Sequence, residues 1–130
     1  MKLIGVTGSS GKSSVCEIVY QYLLHKGLNV SLYASTGCFI NGLTRFKDFF
    51  QTTLYHKRLK EYLEEDKANN VDVAIIEITA ESVLRNDLVH MLPFDVVALS
   101  SFYKGLYNHF GSEGKYLACK REILEKLWKT

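Results

Sequence analysis

The sequence lacks any apolar run long enough to span a membrane. It has little net charge, +2 over 130 residues, which is too small to argue for a nucleic-acid or anionic-surface partner. Its three cysteines, Cys16, Cys38 and Cys119, are widely spaced and odd in number. That pattern speaks against a disulfide framework or a cysteine metal cluster and fits reduced core thiols. The four histidines, His25, His56, His90 and His109, show no metal-ligand spacing. No repeat or low-complexity linker is visible, and the first residues run straight into an apolar stretch, so no signal peptide is expected. What remains is one domain with no nucleic-acid or membrane partner, large enough to bury a core and expected in the cytoplasm.

The most informative stretch is Leu-Ile-Gly-Val-Thr-Gly-Ser-Ser-Gly-Lys-Ser-Ser, residues 3 to 14. Leu3 to Val6 reads as a buried strand, Thr7 to Gly11 as a loop of small residues, and Lys12 and Ser13 open an amphipathic segment. Strand, glycine loop and helix in that order form a cradle for a nucleoside triphosphate. Glycines let successive backbone N–H groups converge on one anion, and the following helix adds the positive end of its dipole. The expected phosphate contacts are Thr7, Gly8, Ser9, Ser10, Gly11, Lys12, Ser13 and Ser14. Lys12 would bind β- and γ-phosphate oxygens, and the Ser13 hydroxyl a magnesium ion. The general phosphate-loop pattern asks for Gly five positions before Gly11, where this chain has Val6.

Further along, Val15, Ile18, Val19, Tyr22 and Leu23 recur at helical spacing, with Gly27 as a stop. Asn29 to Ala34 reads as a strand. Cys38 to Ile40 and Leu43 to Arg45 read as a hairpin turning at Asn41-Gly42. A loop over residues 46 to 53 leads to a helix with Leu59, Tyr62 and Leu63 on its inner face. Val71 to Ile78 and Phe94 to Leu99 are continuous apolar runs, expected as central parallel strands. A short helix is expected over residues 80 to 87, a polar loop over 100 to 113, and a last helix from about Gly114 to Trp128. Strands alternating with helices predict an α/β fold, a P-loop NTPase-like, mainly parallel sheet with helices on both faces. Ligands in such sheets lie beyond the carboxyl ends of the strands, where the glycine loop, Glu77 and the 100–113 loop all fall.

Glu77 ends an apolar strand, where a carboxylate is costly unless paired or bound to a cation. It reads either as a magnesium ligand or as a strand-end carboxylate facing solvent or a helix N-terminus. Lys120 lies in the middle of the stripe formed by Leu117, Ile123, Leu124, Leu127 and Trp128. A lysine there snorkels, pairs or loses its charge, and a neutral amine can take up carbon dioxide as a carbamate, an anionic metal ligand. His109 falls in the candidate catalytic loop. Tyr103, Tyr107 and Phe110 either stack on a base or fold back on the core.

Taken together, these residues resemble the ATP-binding central domain of the Mur ligases, the amide-forming enzymes of peptidoglycan assembly. The similarity is greatest to members that add the third residue of the stem peptide. The family's Gly-Val-Thr-Gly-Thr-Asn-Gly-Lys-Thr is matched by Gly5 to Ser13, and the family also lacks the first glycine of the general motif. Its Thr-Thr substrate loop falls on Thr52-Thr53, its Glu-Val-Ser-Ser on Glu77 to Ala80, and its Gly-Ser…Tyr-Ala-Ala-Ala-Lys on Gly111-Ser112 and Tyr116 to Lys120. The family's carbamoylated lysine therefore falls on Lys120. The resemblance implies ATP and Mg2+ as cofactors and a UDP-sugar peptide carboxylate as substrate. It implies Lys12, Glu77 and Lys120 as catalytic residues, and Ser13, Glu77 and Lys120 as metal ligands; His109, in the candidate catalytic loop, is a further candidate ligand that could stand in for the family's histidine only if the loop shifts.

The resemblance has departures. Leu106 stands where the family carries a metal-binding histidine, Asn108 replaces the acidic residue after it, and Glu81 replaces a common histidine. The family also has an amino-terminal nucleotide-sugar domain and a carboxyl-terminal amino-acid domain. Residues 1–130 match neither and read as an incomplete central domain. Two other readings stay open: a ligase of the folylpolyglutamate or cyanophycin synthetase type, and a non-catalytic nucleotide-binding module.

Overall fold

The computed structural model describes residues 1–8, 11–46, 55–78 and 92–100. Its framework is a six-stranded sheet made of β1 (Lys2–Thr7), β2 (Val30–Ala34), β3 (Gly37–Ile40), β4 (Leu43–Phe46), β5 (Val73–Glu77) and β6 (Val96–Leu99). Helices α1 (Lys12–His25) and α2 (Tyr55–Ala68) complete the described elements. The strand order is β4-β3-β2-β5-β1-β6. β1 pairs in parallel with both β5 and β6, and β2 pairs in parallel with β5. The hairpin strands β3 and β4 extend the sheet antiparallel beyond β2.

Side-chain alternation along the buried strands builds two cores, one on each face. On one face Val6, Val30, Leu32, Ala34 and Ile75 pack with Cys16 and Tyr20 of α1. On the other, Leu3, Tyr33, Ala74, Ile76 and Ile78 pack with Leu59 and Leu63 of α2. The two helices thus cover opposite faces, as the apolar runs predicted. Gly5 lies on the α2 face, where a Cβ would come within 2.5 Å of Ile78 Cδ1 and 3.1 Å of the Phe94 ring, so a larger residue there requires these side chains to shift.

The expected turns are present. Asn41 and Gly42 have φ of 48° and 85°, the paired positive values of a tight hairpin turn. Gly27, at φ 84°, follows α1 and donates to the Leu24 carbonyl, which ends the helix in the left-handed conformation glycine tolerates.

Two expectations need correction. Ile18 and Tyr22 do not face the core; they are 68% and 58% exposed. The buried stripe of α1 is centred on Cys16 and Tyr20, and Ile18 and Tyr22, four residues apart, form a separate strip on the solvent side. The run from Phe94 to Leu99 is also not central within the described sheet: among the described residues β6 is the outermost strand beside β1, with Val96 and Leu99 exposed. β2 and β5 hold the two middle places of the described sheet, and β1 lies between β5 and β6. The expected helices at 80–87 and 114–128, and the 100–113 loop beyond Ser100, lie outside the described residues. Among the described residues no helix is long and apolar enough to cross a membrane.

Both described cysteines are buried. Loss of solvation, reinforced by the charges of Glu77 and Glu17 against an opposing Lys12, pushes the Cys16 thiol from 9.0 to about 12. Burial likewise raises Cys38 to about 12, with Arg45 opposing. A raised thiol pKa favours the protonated fold below the unfolded value, so this contribution is full below about pH 9 and is lost as pH climbs toward 12. Iodoacetamide at pH 8 is therefore expected to label Cys16 and Cys38 only after denaturant is added, read residue by residue by mass spectrometry. Fast labelling of either thiol in the native protein would contradict its burial.

Candidate nucleotide and magnesium site

Because β1, β2 and β5 run parallel, their carboxyl ends reach the same edge of the sheet. Three polar groups meet there. β1 delivers Thr7, fully buried, and then Gly8. β5 delivers Glu77, and β2 ends at Ala34, just before Ser35. α1 then starts at Lys12, on the face shared with Ile75 and Glu77.

The backbone around the loop requires glycine. Gly8 and Gly11 have φ of 150° and 76°. A Cβ at Gly11 would meet nothing within 4 Å, so the requirement there is conformational and not steric crowding. Gly11 caps α1 without any side-chain hydrogen bond, and the first turn holds no acidic residue. The carboxylate beside this positive helix end therefore comes from outside the helix, from Glu77 on β5. The Lys12 ammonium donates to the Gly8 carbonyl at 3.0 Å, holding the amine over the loop.

Glu77 is only 3% exposed, yet it carries a carboxylate. Its Oε2 accepts from the Ser13 hydroxyl at 3.1 Å and from the Ser35 backbone N–H at 2.7 Å. Oε1 has no hydrogen-bond partner among the described residues. Ser13 and Ser35 face each other with hydroxyl oxygens 2.6 Å apart. Ser100, following β6, donates from its N–H to the Thr7 carbonyl at 2.8 Å and from its hydroxyl at 3.2 Å, bracing the end of β1.

This donor set fits a magnesium ion. It offers only hard oxygens, from one hydroxyl and one carboxylate, the sparse protein ligation typical of magnesium when phosphates and water supply the rest. Glu77 Oε1 is a further oxygen at the same edge. Among the described residues no group of three or more His, Cys, Asp or Glu side chains could hold a metal by itself.

Of the residues read from sequence, Lys12, Ser13, Glu77, Gly8 and Gly11 come together here. Thr7 ends the strand beneath them, and Ser14 follows Ser13 on α1, exposed. Ser9, Ser10, Thr52, Thr53, His109 and Lys120 lie outside the described residues. Ser35 was missed: a serine in a turn carries no signal of its own until the strand order brings β2 beside β5.

A family model described as the Mur ligase middle domain matches residues 6–130. The chain belongs to this family. Among curated Mur ligase relatives, it is 31% identical over 115 residues to the UDP-N-acetylmuramyl-tripeptide synthetase of Borreliella afzelii, covering 87% of this chain and 21% of that protein. It is 38% identical over 85 residues to the protein of the same name from Borrelia garinii subsp. bavariensis, covering 64% of this chain and 16% of that one. It is 27% identical to the UDP-N-acetylmuramoyl-L-alanyl-D-glutamate–2,6-diaminopimelate ligase of Helicobacter hepaticus, over 95% of this chain and 26% of that protein. The chain thus spans about a quarter or less of the length of these relatives.

A solved structure of a UDP-N-acetylmuramoyl-L-alanyl-D-glutamate–2,6-diaminopimelate ligase superposes with a TM-score of 0.78 over 95% of this chain and 24% of that one, at 17% identity. A bifunctional folylpolyglutamate synthase/dihydrofolate synthase superposes with a TM-score of 0.56 over 75% of this chain and 29% of that one, at 21% identity. At these identities the superpositions establish the fold, and the Mur ligase fold is the one this chain adopts.

Proposed function

We propose that this Mur ligase middle domain binds ATP with magnesium and serves an amide-forming ligase that activates a carboxylate as an acyl phosphate. The observation that carries the reading is the hydrogen bond between Ser13 and Glu77, 64 positions apart, beside a helix start with no acidic residue in its first turn. The loop N–H groups and the Lys12 ammonium would hold the β- and γ-phosphates. Ser13 and Glu77 would hold magnesium, with Lys120 as a carbamate and His109 as further proposed ligands. The bound ion supplies neutralisation of phosphate charge.

In the reaction, a carboxylate oxygen of the substrate bonds to the γ-phosphorus as the bond to ADP breaks. An amine nitrogen then bonds to the acyl carbon, phosphate leaves, and the amine gives up a proton. Lys12 would counter the charge that spreads over the phosphoryl oxygens in flight. The names of the relatives favour a UDP-N-acetylmuramyl peptide as the carboxylate donor, with Thr52 and Thr53 proposed as its contacts and the cytoplasm as the place of reaction. They favour this donor over a folate-type one.

Calorimetric titration of the chain with ATP and Mg2+ is expected to show one saturable site. Incubation of a full-length ligase carrying this domain with 18O-carboxylate UDP-N-acetylmuramyl dipeptide, ATP and the amino acid is expected to place label in the released phosphate. Absence of nucleotide binding would contradict the reading, and label-free phosphate would contradict the acyl-phosphate step.

A further inference from the structure

We infer that Ser35 is a positioning residue for the cation held by Ser13 and Glu77. This rests on the nucleotide-and-magnesium reading of the site and adds to it a residue outside the loop motif. The argument is a count of hydrogens. A carboxylate only accepts, so the bond from Ser13 to Glu77 Oε2 uses the single hydrogen of the Ser13 hydroxyl. The 2.6 Å contact between Ser13 and Ser35 must then be donated by Ser35.

The order is therefore Ser35 to Ser13 to Glu77. Ser13 has one lone pair occupied by Ser35 and its hydrogen committed to the carboxylate, which leaves a single lone pair in one fixed direction. Ser35 also donates its backbone N–H to the same Glu77 oxygen at 2.7 Å. One residue of the β2–β3 turn therefore fixes both oxygen donors at once, as partners of metal ligands commonly do. Gly37, at φ 138°, pairs with Ala34 and closes the two-residue turn that puts Ser35 there.

Ser35→Ala removes the hydroxyl and keeps the N–H to Glu77, and the exposed position tolerates the change without loss of packing. The test is titration of wild type, Ser35→Ala and Ser35→Thr with AMP-PNP, once in EDTA and once over a series of Mg2+ concentrations. Ser35→Ala is expected to raise the Mg2+ concentration needed for tight binding about tenfold, with the EDTA affinity within twofold of wild type. Ser35→Thr, which restores a hydroxyl, is expected to recover the wild-type Mg2+ dependence. An unchanged Mg2+ dependence in Ser35→Ala, or an equal loss in EDTA, overturns the positioning role while leaving the nucleotide site standing. If wild type binds no AMP-PNP in Mg2+, both the function proposed for the site and this role fall together.

Discussion

Lys12→Ala is expected to weaken binding of ATP with Mg2+ by roughly ten- to a hundredfold, the loss of about 1.5–3 kcal/mol for a charge-assisted contact. The ammonium lies over the loop, held by the Gly8 carbonyl at 3.0 Å, and in the proposed complex it exchanges that carbonyl for phosphate oxygens. Its alkyl chain carries no core packing, since Lys12 is only half-buried at the first position of α1. The fold should therefore survive, with an unfolding midpoint within a few degrees of wild type. Lys26→Ala makes a fitting control. That lysine lies at the other end of α1, over the ring of Tyr22, and its loss should leave nucleotide affinity unchanged. Titration calorimetry checks both, and an affinity for Lys12→Ala within threefold of wild type would contradict the role.

The second large effect concerns stability. Asp66 is fully buried on α2 and accepts from the Tyr33 hydroxyl and, at 2.6 Å, from Arg45 Nη1. Arg45 also donates to the Tyr33 hydroxyl at 2.9 Å and stacks its guanidinium 4.6 Å from the Tyr62 ring centre. Its Nη2 lies 3.1 Å from Glu65 Oε1, an ion pair whose angle falls outside hydrogen-bond geometry. Burial, together with the hydrogen bond and charge of Asp66, raises the Tyr33 hydroxyl well above its ordinary value, so it stays a donor at any working pH. Arg45→Ala would leave a buried carboxylate facing a single hydroxyl. The expected cost is about 3–5 kcal/mol, a large share of a typical domain's stability. Asp66→Ala should cost a similar amount, and the double variant much less than the sum, because each single change strands the other's charge. Urea unfolding of the three variants measures this; single costs under about 1 kcal/mol would contradict a buried, coupled pair.

This network also shows how far the sequence could be read. The two cores follow from alternation in the short apolar runs, and the Asn41-Gly42 turn from its residue types. The Ser13–Glu77 meeting was foreseeable because parallel strands align their carboxyl ends, so a loop after β1 and a carboxylate at the end of β5 must be neighbours. Asp66 was foreseeable too, though the expected inner face of α2 stopped at Leu63. It falls three residues past Leu63 on the same stripe, and the reasoning that singled out Lys120 would have marked it. Arg45 and Ser35 were not legible, because a hairpin strand and a turn gain their partners only from the sheet order. The outermost position of β6 among the described strands was hidden for a related reason: four apolar residues in a row look alike at an edge and at a centre.

The central claim is that Ser13 and Glu77 together hold the cation of a bound nucleotide. Crystals of the 130-residue chain grown with AMP-PNP and Mn2+ in place of Mg2+ test it directly, through the anomalous signal of the metal. The account predicts a peak about 2.1–2.3 Å from Ser13 Oγ, next to the Glu77 carboxylate, with phosphates along Gly8 to Ser13. A peak elsewhere, or phosphates bound away from the loop with Ser13 and Glu77 uninvolved in holding the metal, would contradict it.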